Sequence, residues 1–152
     1  MKIKTQKEKE TKKLAKKIAK SLTPQEEKAT VLALSGELGS GKTTFTKGFA
    51  EEFGIKEITS PTFVIMKKYQ LKNKEFSRLY HIDCYRIEEK TDLKEIKFEE
   101  ILKSPRNLIL IEWPERLINL PEGNLMLNFE VVGENERVIK THDLPGLKKQ
   151  LN

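Results

Sequence analysis

Apolar residues in this chain fall into short runs and narrow stripes. Leu14, Ile18 and Leu22 recur at spacing four, with Ala15 and Ala19 beside them, and Lys9, Lys12, Lys13, Lys16, Lys17 and Lys20 fill the other faces. That period predicts an amphipathic helix over about residues 6–22, ended by Thr23-Pro24. Val31-Leu32-Ala33-Leu34 is a continuous apolar run, suited to a strand buried on both faces. Leu108-Ile109-Leu110-Ile111 is a second, in a strand over about residues 107–112. Phe45, Phe49 and Phe53 mark one face of a helix over about residues 42–53, with Gly54 as its stop. About residues 63–69 and 76–82 read as strands joined by the turn Lys72-Asn73-Lys74-Glu75. A helix is expected over about residues 92–103, and a hairpin over about 125–132 and 137–141. A short helix is expected after Pro145.

Strand, glycine-rich turn and helix in that order open a βαβ unit. With no repeat, low-complexity linker or internal boundary, residues 1–152 read as one domain, in which 1–24 form a basic amphipathic N-terminal helix. The fold class expected is α/β: a mostly parallel central sheet with antiparallel hairpins and helices on both faces.

Composition narrows the classes. A chain of 152 residues suits one core, and 37% apolar against 34% charged residues is polar but foldable. No apolar run approaches the roughly 20 residues of a membrane span. Met1-Lys2-Ile3-Lys4 opens no signal peptide, so a cytoplasmic protein is expected. One cysteine, Cys84, allows no internal disulfide, and with His81 and His142 it is too little for a structural zinc site. The net charge of +6 is uneven. Residues 1–30 hold ten basic and four acidic side chains, whereas residues 31–152 hold 19 of each. A basic extension can meet nucleic acid or an acidic partner, or be a solvated helix face.

The strongest signal is Gly36-Glu37-Leu38-Gly39-Ser40-Gly41-Lys42-Thr43, which fits G-x-x-x-x-G-K-[ST] between a strand and a helix. Glycines 36, 39 and 41 let the backbone wrap and turn its N–H groups inward, where the positive helix end adds to them. Lys42 reaches the β- and γ-phosphates, Thr43 offers a hydroxyl to Mg²⁺, and Thr44 the α-phosphate. Such a site also needs a carboxylate at a strand end. Glu112, after four apolar residues, is the better candidate and is assigned to the metal's water shell. Asp83, after Leu79-Tyr80-His81-Ile82, is assigned to metal or attacking-water organisation. His81 alone reads as structural. Trp113 can stack on a base or simply pack. Thr62, in Ser60-Pro61-Thr62, sits where a switch loop could present a hydroxyl to the γ-phosphate, although by itself the segment reads as an ordinary turn.

Guanine readers carry N-K-x-D, and Asn73-Lys74-Glu75-Phe76 fails that pattern, so ATP is preferred. Only five arginines exist, at 78, 86, 106, 116 and 137, and no insertion supplies a lid, which disfavours a small-molecule kinase.

Four segments together resemble the bacterial TsaE (YjeE-type) ATPase family, which takes part in making threonylcarbamoyladenosine in tRNA. They are Gly36-Glu37-Leu38-Gly39-Ser40-Gly41-Lys42-Thr43-Thr44, Ser60-Pro61-Thr62-Phe63, His81-Ile82-Asp83-Cys84-Tyr85-Arg86 and Ile111-Glu112-Trp113-Pro114-Glu115. The chain departs from the family at Ile96-Lys97, where the family often has Leu-Gly. The resemblance implies a P-loop NTPase fold, ATP with Mg²⁺, and a partner complex, the TsaD–TsaB pair. That pair modifies tRNAs reading A-starting codons, and the ATPase resets it between turnovers. The resemblance also implies that Lys42 and Thr43 bind phosphate and Mg²⁺, that Glu112 serves the metal, and that Asp83 and Thr62 belong to nucleotide-sensing segments. Adenine contacts are expected from Glu8 to Thr11 and near Gly133. Tests against two rivals, a P-loop kinase and a non-catalytic nucleotide-dependent scaffold, are acceptor-dependent ADP release and tolerance of Glu112→Ala and Asp83→Ala.

Overall fold

A computed structural model describes residues 1–59, 65–88, 93, 96–142 and 144. The chain forms two compact units of mixed α/β structure, Met1–Leu22 with Ser35–Ile58 and Leu125–Asn152, and Thr23–Leu34 with Thr59–Asn124.

In the first unit, β1 (Lys2–Thr5) pairs antiparallel with β7 (Arg137–Thr141), which pairs antiparallel with β6 (Leu125–Val131). The last two are the hairpin the alternation predicts. Strand β1 was not expected: four residues, two of them lysine, carry no strand signal. Its pairing runs Ile3 opposite Ile139, far along the chain. Helix α1 (Glu8–Ser21) begins two residues later than its period suggested, because the chain is still leaving β1. Lys7 at its N-cap offers no side-chain acceptor; Glu10 Oε2 instead accepts the Gln6 N–H at 2.7 Å. The stripe of Thr11, Leu14, Ala15, Ile18 and Ala19 is buried.

Helix α2 (Lys42–Glu52) packs closely against α1. A Cβ on Gly48 would lie 2.7 Å from Lys12 Cα and 2.8 Å from Lys12 O, so only glycine permits this approach. Phe45 and Phe49 are wholly buried, and the edge of Phe129 meets Phe45 with centroids 5.5 Å apart. Each such phenylalanine contributes about 1.5–3 kcal/mol through burial. Across the helix pair, Lys12 and Lys16 both reach Glu51, at 3.2 and 2.8 Å, and Lys20 reaches Glu52 at 3.7 Å. Much of the basic character of α1 is therefore balanced within the unit.

In the second unit the strand order is β2-β5-β4-β3. Strand β2 (Thr30–Gly36), β5 (Asn107–Glu112) and β4 (Arg78–Asp83) run parallel; β3 (Met66–Gln70) returns antiparallel beside β4. All six residues of β5 are buried, as a continuous apolar run requires. Tyr80, Ile82, Ile109 and Ile111 form one face, packed with Phe98, Ile101 and Leu117. At the turn between β3 and β4, Asn73 Oδ1 accepts the N–H groups of Glu75 and Phe76.

The helix expected over 92–103 is only α3 (Phe98–Leu102) among the described residues. Lys97, at φ 55° and ψ 39°, is left-handed and cannot carry an α-helix through from Ile96. The expected helix after Pro145 lies outside the described residues, as do residues 63 and 64 of the expected strand. Among the described residues, no helix is long and apolar enough to cross a membrane.

Candidate functional site

Strand β2 delivers the chain from a buried ladder directly into the glycine loop at residues 36–44. Gly36 has φ 148°, and a Cβ there would sit 2.6 Å from Phe129 O and 2.8 Å from Ser40 Oγ. The loop can close this tightly only because position 36 has no side chain. Gly39 and Gly41 are also left-handed, and Gly41 serves as the N-cap of α2. No side chain caps that helix end, which leaves backbone donors for an anion.

Lys42 is only 5% exposed. Its Nζ donates to the carbonyls of Gly36 and Glu37 and lies 3.4 Å from Ser40 Oγ. The ammonium is thus held at the inner side of its own loop. Ser40 is buried, whereas Glu37, Leu38 and Thr43 are exposed. This donor set of one fixed ammonium, an uncapped helix end and hydroxyls fits a polyphosphate.

The two carboxylates predicted at strand ends lie in the second unit. Asp83 and Glu112 are register partners at the last positions of β4 and β5. Glu112 also stands opposite Leu34, two residues before β2 ends at Gly36. Glu112 is 4% exposed, and its Oε2 is 3.2 Å from His81 Nε2. Burial pushes the Asp83 carboxyl above its ordinary range. The Tyr85 N–H, donating to Asp83 Oδ1 at 3.0 Å, opposes that shift, and the charge of Glu112 adds to it. Next in the chain, the Cys84 thiol is pushed up to about 12, chiefly by burial and then by the charges of Asp83 and Glu115, so it is no nucleophile near neutral pH.

Among the described residues, no three His, Cys, Asp or Glu side chains converge to hold a metal by themselves. Taken each in its own unit, the Glu112 carboxylate and the exposed Thr43 hydroxyl are hard oxygen donors of the kind Mg²⁺ takes, an ion that characteristically keeps waters and takes substrate phosphates as further ligands.

Glu8, Thr11, Gly39, Gly41 and Thr44 come together on one cleft of about 520 Å³ in the first unit, with Thr5, Gln6, Lys7, Asn135 and Arg137. That volume lies in the range of small-molecule sites. At its wall, the buried hydroxyls of Thr5 and Thr11 meet at 2.9 Å. Gly133 lies beside the cleft rather than on it: Arg137 Nη1 donates to its carbonyl at 3.2 Å and holds the β6–β7 turn that carries Asn135. Trp113 is not a wall of this cleft. Its ring lies on Tyr85 with centroids 5.1 Å apart, and its backbone is left-handed at φ 58°. Its N–H continues the ladder by donating to Leu34 O at 3.2 Å. Thr62 lies outside the described residues.

The family profile described as "Threonylcarbamoyl adenosine biosynthesis protein TsaE" matches residues 5–139. The chain belongs to the TsaE family. The tRNA threonylcarbamoyladenosine biosynthesis protein TsaE of Rickettsia felis is 40% identical over 134 residues, 86% of this chain and 73% of that protein. Its counterpart in Bacillus subtilis is 40% identical over 132 residues, 86% of this chain and 77% of that protein. The crystal structure of Bacillus subtilis YdiB superposes with a TM-score of 0.72 at 33% identity, covering 100% of this chain and 96% of that one.

Against this TsaE background, several residues carry no sequence signal for the places they occupy. Thr5 belongs to an unheralded strand, and Asn135 and Arg137 to an ordinary-looking hairpin. His81 read as a structural histidine, yet its ring nitrogen faces Glu112. The only hint in the sequence was its spacing of two from Asp83, which puts both on one face of a strand.

Proposed function

We propose that this TsaE-family chain is a Mg²⁺-dependent ATPase of P-loop fold that acts in the cytoplasm with the TsaD–TsaB pair in forming threonylcarbamoyladenosine in tRNAs reading A-starting codons. Binding and hydrolysis of ATP reset that complex between turnovers. The observation that carries the reading is the glycine loop, in which a buried Lys42 is held by its own loop's carbonyls at the uncapped N-terminus of α2.

The roles follow from chemistry. Backbone N–H groups of residues 36–44 cradle phosphate oxygens, and the Lys42 ammonium offsets charge on the β- and γ-phosphates. Thr44 meets the α-phosphate. Bound Mg²⁺ neutralises charge that builds on the transferring phosphoryl group. Thr43 would hold it directly and Glu112 would serve it through water. Asp83 orients the attacking water, whose oxygen forms the new bond to the γ-phosphorus as the bond to the β–γ bridging oxygen breaks. Thr62 senses the γ-phosphate. The cleft beside the loop, with Glu8 and Thr11 on its wall, takes the nucleoside. Trp113 lies on Tyr85, which favours a packing role over base stacking.

The glycine loop itself holds no arginine, so hydrolysis by the isolated chain is expected to be slow and to depend on the partner. Contact with tRNA is either indirect or made through α1. Since Lys12, Lys16 and Lys20 pair with Glu51 and Glu52, Lys9, Lys13 and Lys17 would carry it.

The test is reconstitution. Multiple-turnover modification of tRNA by the TsaD–TsaB pair should require this chain and fail with Lys42→Ala. ADP should form without an added acceptor, which separates an ATPase from a kinase. Full turnover with Lys42→Ala would sink the reading.

A further inference from the structure

At the end of β4 and β5 away from Asp83 and Glu112, the second unit gathers basic side chains to which the mechanism above gives no task. Residues 71–78, which turn from β3 into β4, hold Lys72, Lys74 and Arg78 against one acid, Glu75. Residues 103–107, which lead into β5, hold Lys103 and Arg106 and no acid. All five cations are exposed.

Hydrogen bonds lock the two segments together. Arg106 Nε donates to Ser77 Oγ at 2.7 Å, and its Nη1 donates to the Lys74 carbonyl at 3.0 Å. The Ser77 N–H donates to the Arg106 carbonyl at 2.8 Å, and Arg78 is the register partner of Asn107. The cations thus stand on a preformed turn, and a partner need not order it. Elsewhere Lys4, Lys12, Lys16, Lys20 and Lys140 each meet a carboxylate. Among the described residues, no carboxylate pairs with any of these five. Lysine on an edge strand commonly guards against pairing with another sheet. That accounts for Lys67 and Lys68 on β3, but not for cations in the turn, on β4 and before β5.

The chemistry of the cluster selects the partner. None of the large apolar side chains exposed among the described residues lies in either segment. Protein interfaces centre on an apolar core, whereas nucleic-acid interfaces are polar and strongly basic. With no exposed aromatic ring to stack on a base, contact stops at the phosphates. We propose that this turn cluster is a docking surface for an RNA phosphate backbone, engaged by charge and not by base sequence. That the RNA is tRNA rests on the role proposed above. The surface offers tRNA a route other than α1, three of whose lysines already pair with Glu51 and Glu52.

The test measures binding of the full chain to an unmodified tRNA transcript by fluorescence anisotropy, over a series of salt concentrations. The variants are the triple Lys72→Gln, Lys74→Gln, Arg78→Gln and the charge-keeping triple Lys72→Arg, Lys74→Arg, Arg78→Lys; Arg106 is left in place because it holds the turn. The glutamine triple should lower tRNA affinity at least about 10-fold near 0.1 M salt and flatten the salt slope by about one for each lost contact. The charge-keeping triple should bind as wild type does, and all three proteins should share one melting midpoint and one ADP affinity. A glutamine triple that binds tRNA like wild type, a wild type that binds none at low salt, or a larger loss from glutamine at Lys9, Lys13 and Lys17 overturns the proposal. So does polyglutamate competing with tRNA at equal charge, which would assign the surface to an acidic protein. Each of these outcomes leaves the ATPase reading standing, since that reading is tested at Lys42.

Discussion

Asp83 and Glu112 face each other across two parallel strands, each the last residue of its strand. Burial raises the cost of ionising Asp83, and the charge of the Glu112 carboxyl in register with it adds to that cost.

That cost gives a pH-dependent prediction. A carboxyl raised in the folded state binds its proton more tightly there than in the unfolded chain. Its contribution to stability is therefore greatest below the ordinary aspartate value and falls as pH rises through the raised one. Asp83→Asn removes this loss and keeps an oxygen for the Tyr85 N–H. Thermal melts should show the variant more stable than wild type at pH 7.5, with the gain shrinking toward pH 4. Hydrolysis should fall, since the site trades stability for charge. A variant no more stable at pH 7.5 would contradict the account.

Gly48→Ala reverses the usual rule for helices. Alanine in a helix interior normally gains about 1 kcal/mol over glycine. Here the added methyl would meet the backbone of Lys12 at 2.7–2.8 Å, and α1 would have to move. We expect a net loss of about 1–3 kcal/mol in urea unfolding. A neutral or stabilised variant would show that the helix pair is less tightly packed than this.

Lys97→Gly should be stabilising. A lysine at φ 55° carries a left-handed penalty of about 1–2 kcal/mol, part of which glycine gives back as unfolded-state entropy. The net gain should be about 0.5–1 kcal/mol by denaturant titration. A left-handed backbone at this position is the physical reason that glycine would suit it.

The lysines of α1 divide into two sets. Glutamine at Lys12, Lys16 and Lys20 breaks pairs with Glu51 and Glu52, and should lower the melting midpoint only slightly, since solvent-exposed ion pairs contribute little. Glutamine at Lys9, Lys13 and Lys17 should leave melting and nucleotide affinity unchanged. If α1 meets tRNA, only the second set should lower affinity and flatten its salt dependence. Equal effects from both sets would mean that simple net charge is at work.

The sequence by itself determined the elements whose signal is local. Four apolar residues in a row suffice to mark a buried strand, so β2 and β5 were legible, with Glu112 at the end of β5. The 3.6-residue stripe marked α1, and eight residues of fixed spacing marked the glycine loop. Tertiary structure alone decided what depends on partners distant in the chain. Strand β1 exists because β7 offers it a ladder, since Lys2–Thr5 has no pattern of its own. The cleft gathers Thr5, Thr11 and Arg137 because that same pairing ties the N-terminus to the β6–β7 hairpin. The pairing of His81 with Glu112 needs β4 beside β5 in one register, and a slip of one residue would turn His81 to the opposite face. Periodicity tells which face of a strand a residue occupies; which strand lies alongside is a matter of long-range packing, and that choice made a structural-looking histidine the neighbour of a carboxylate.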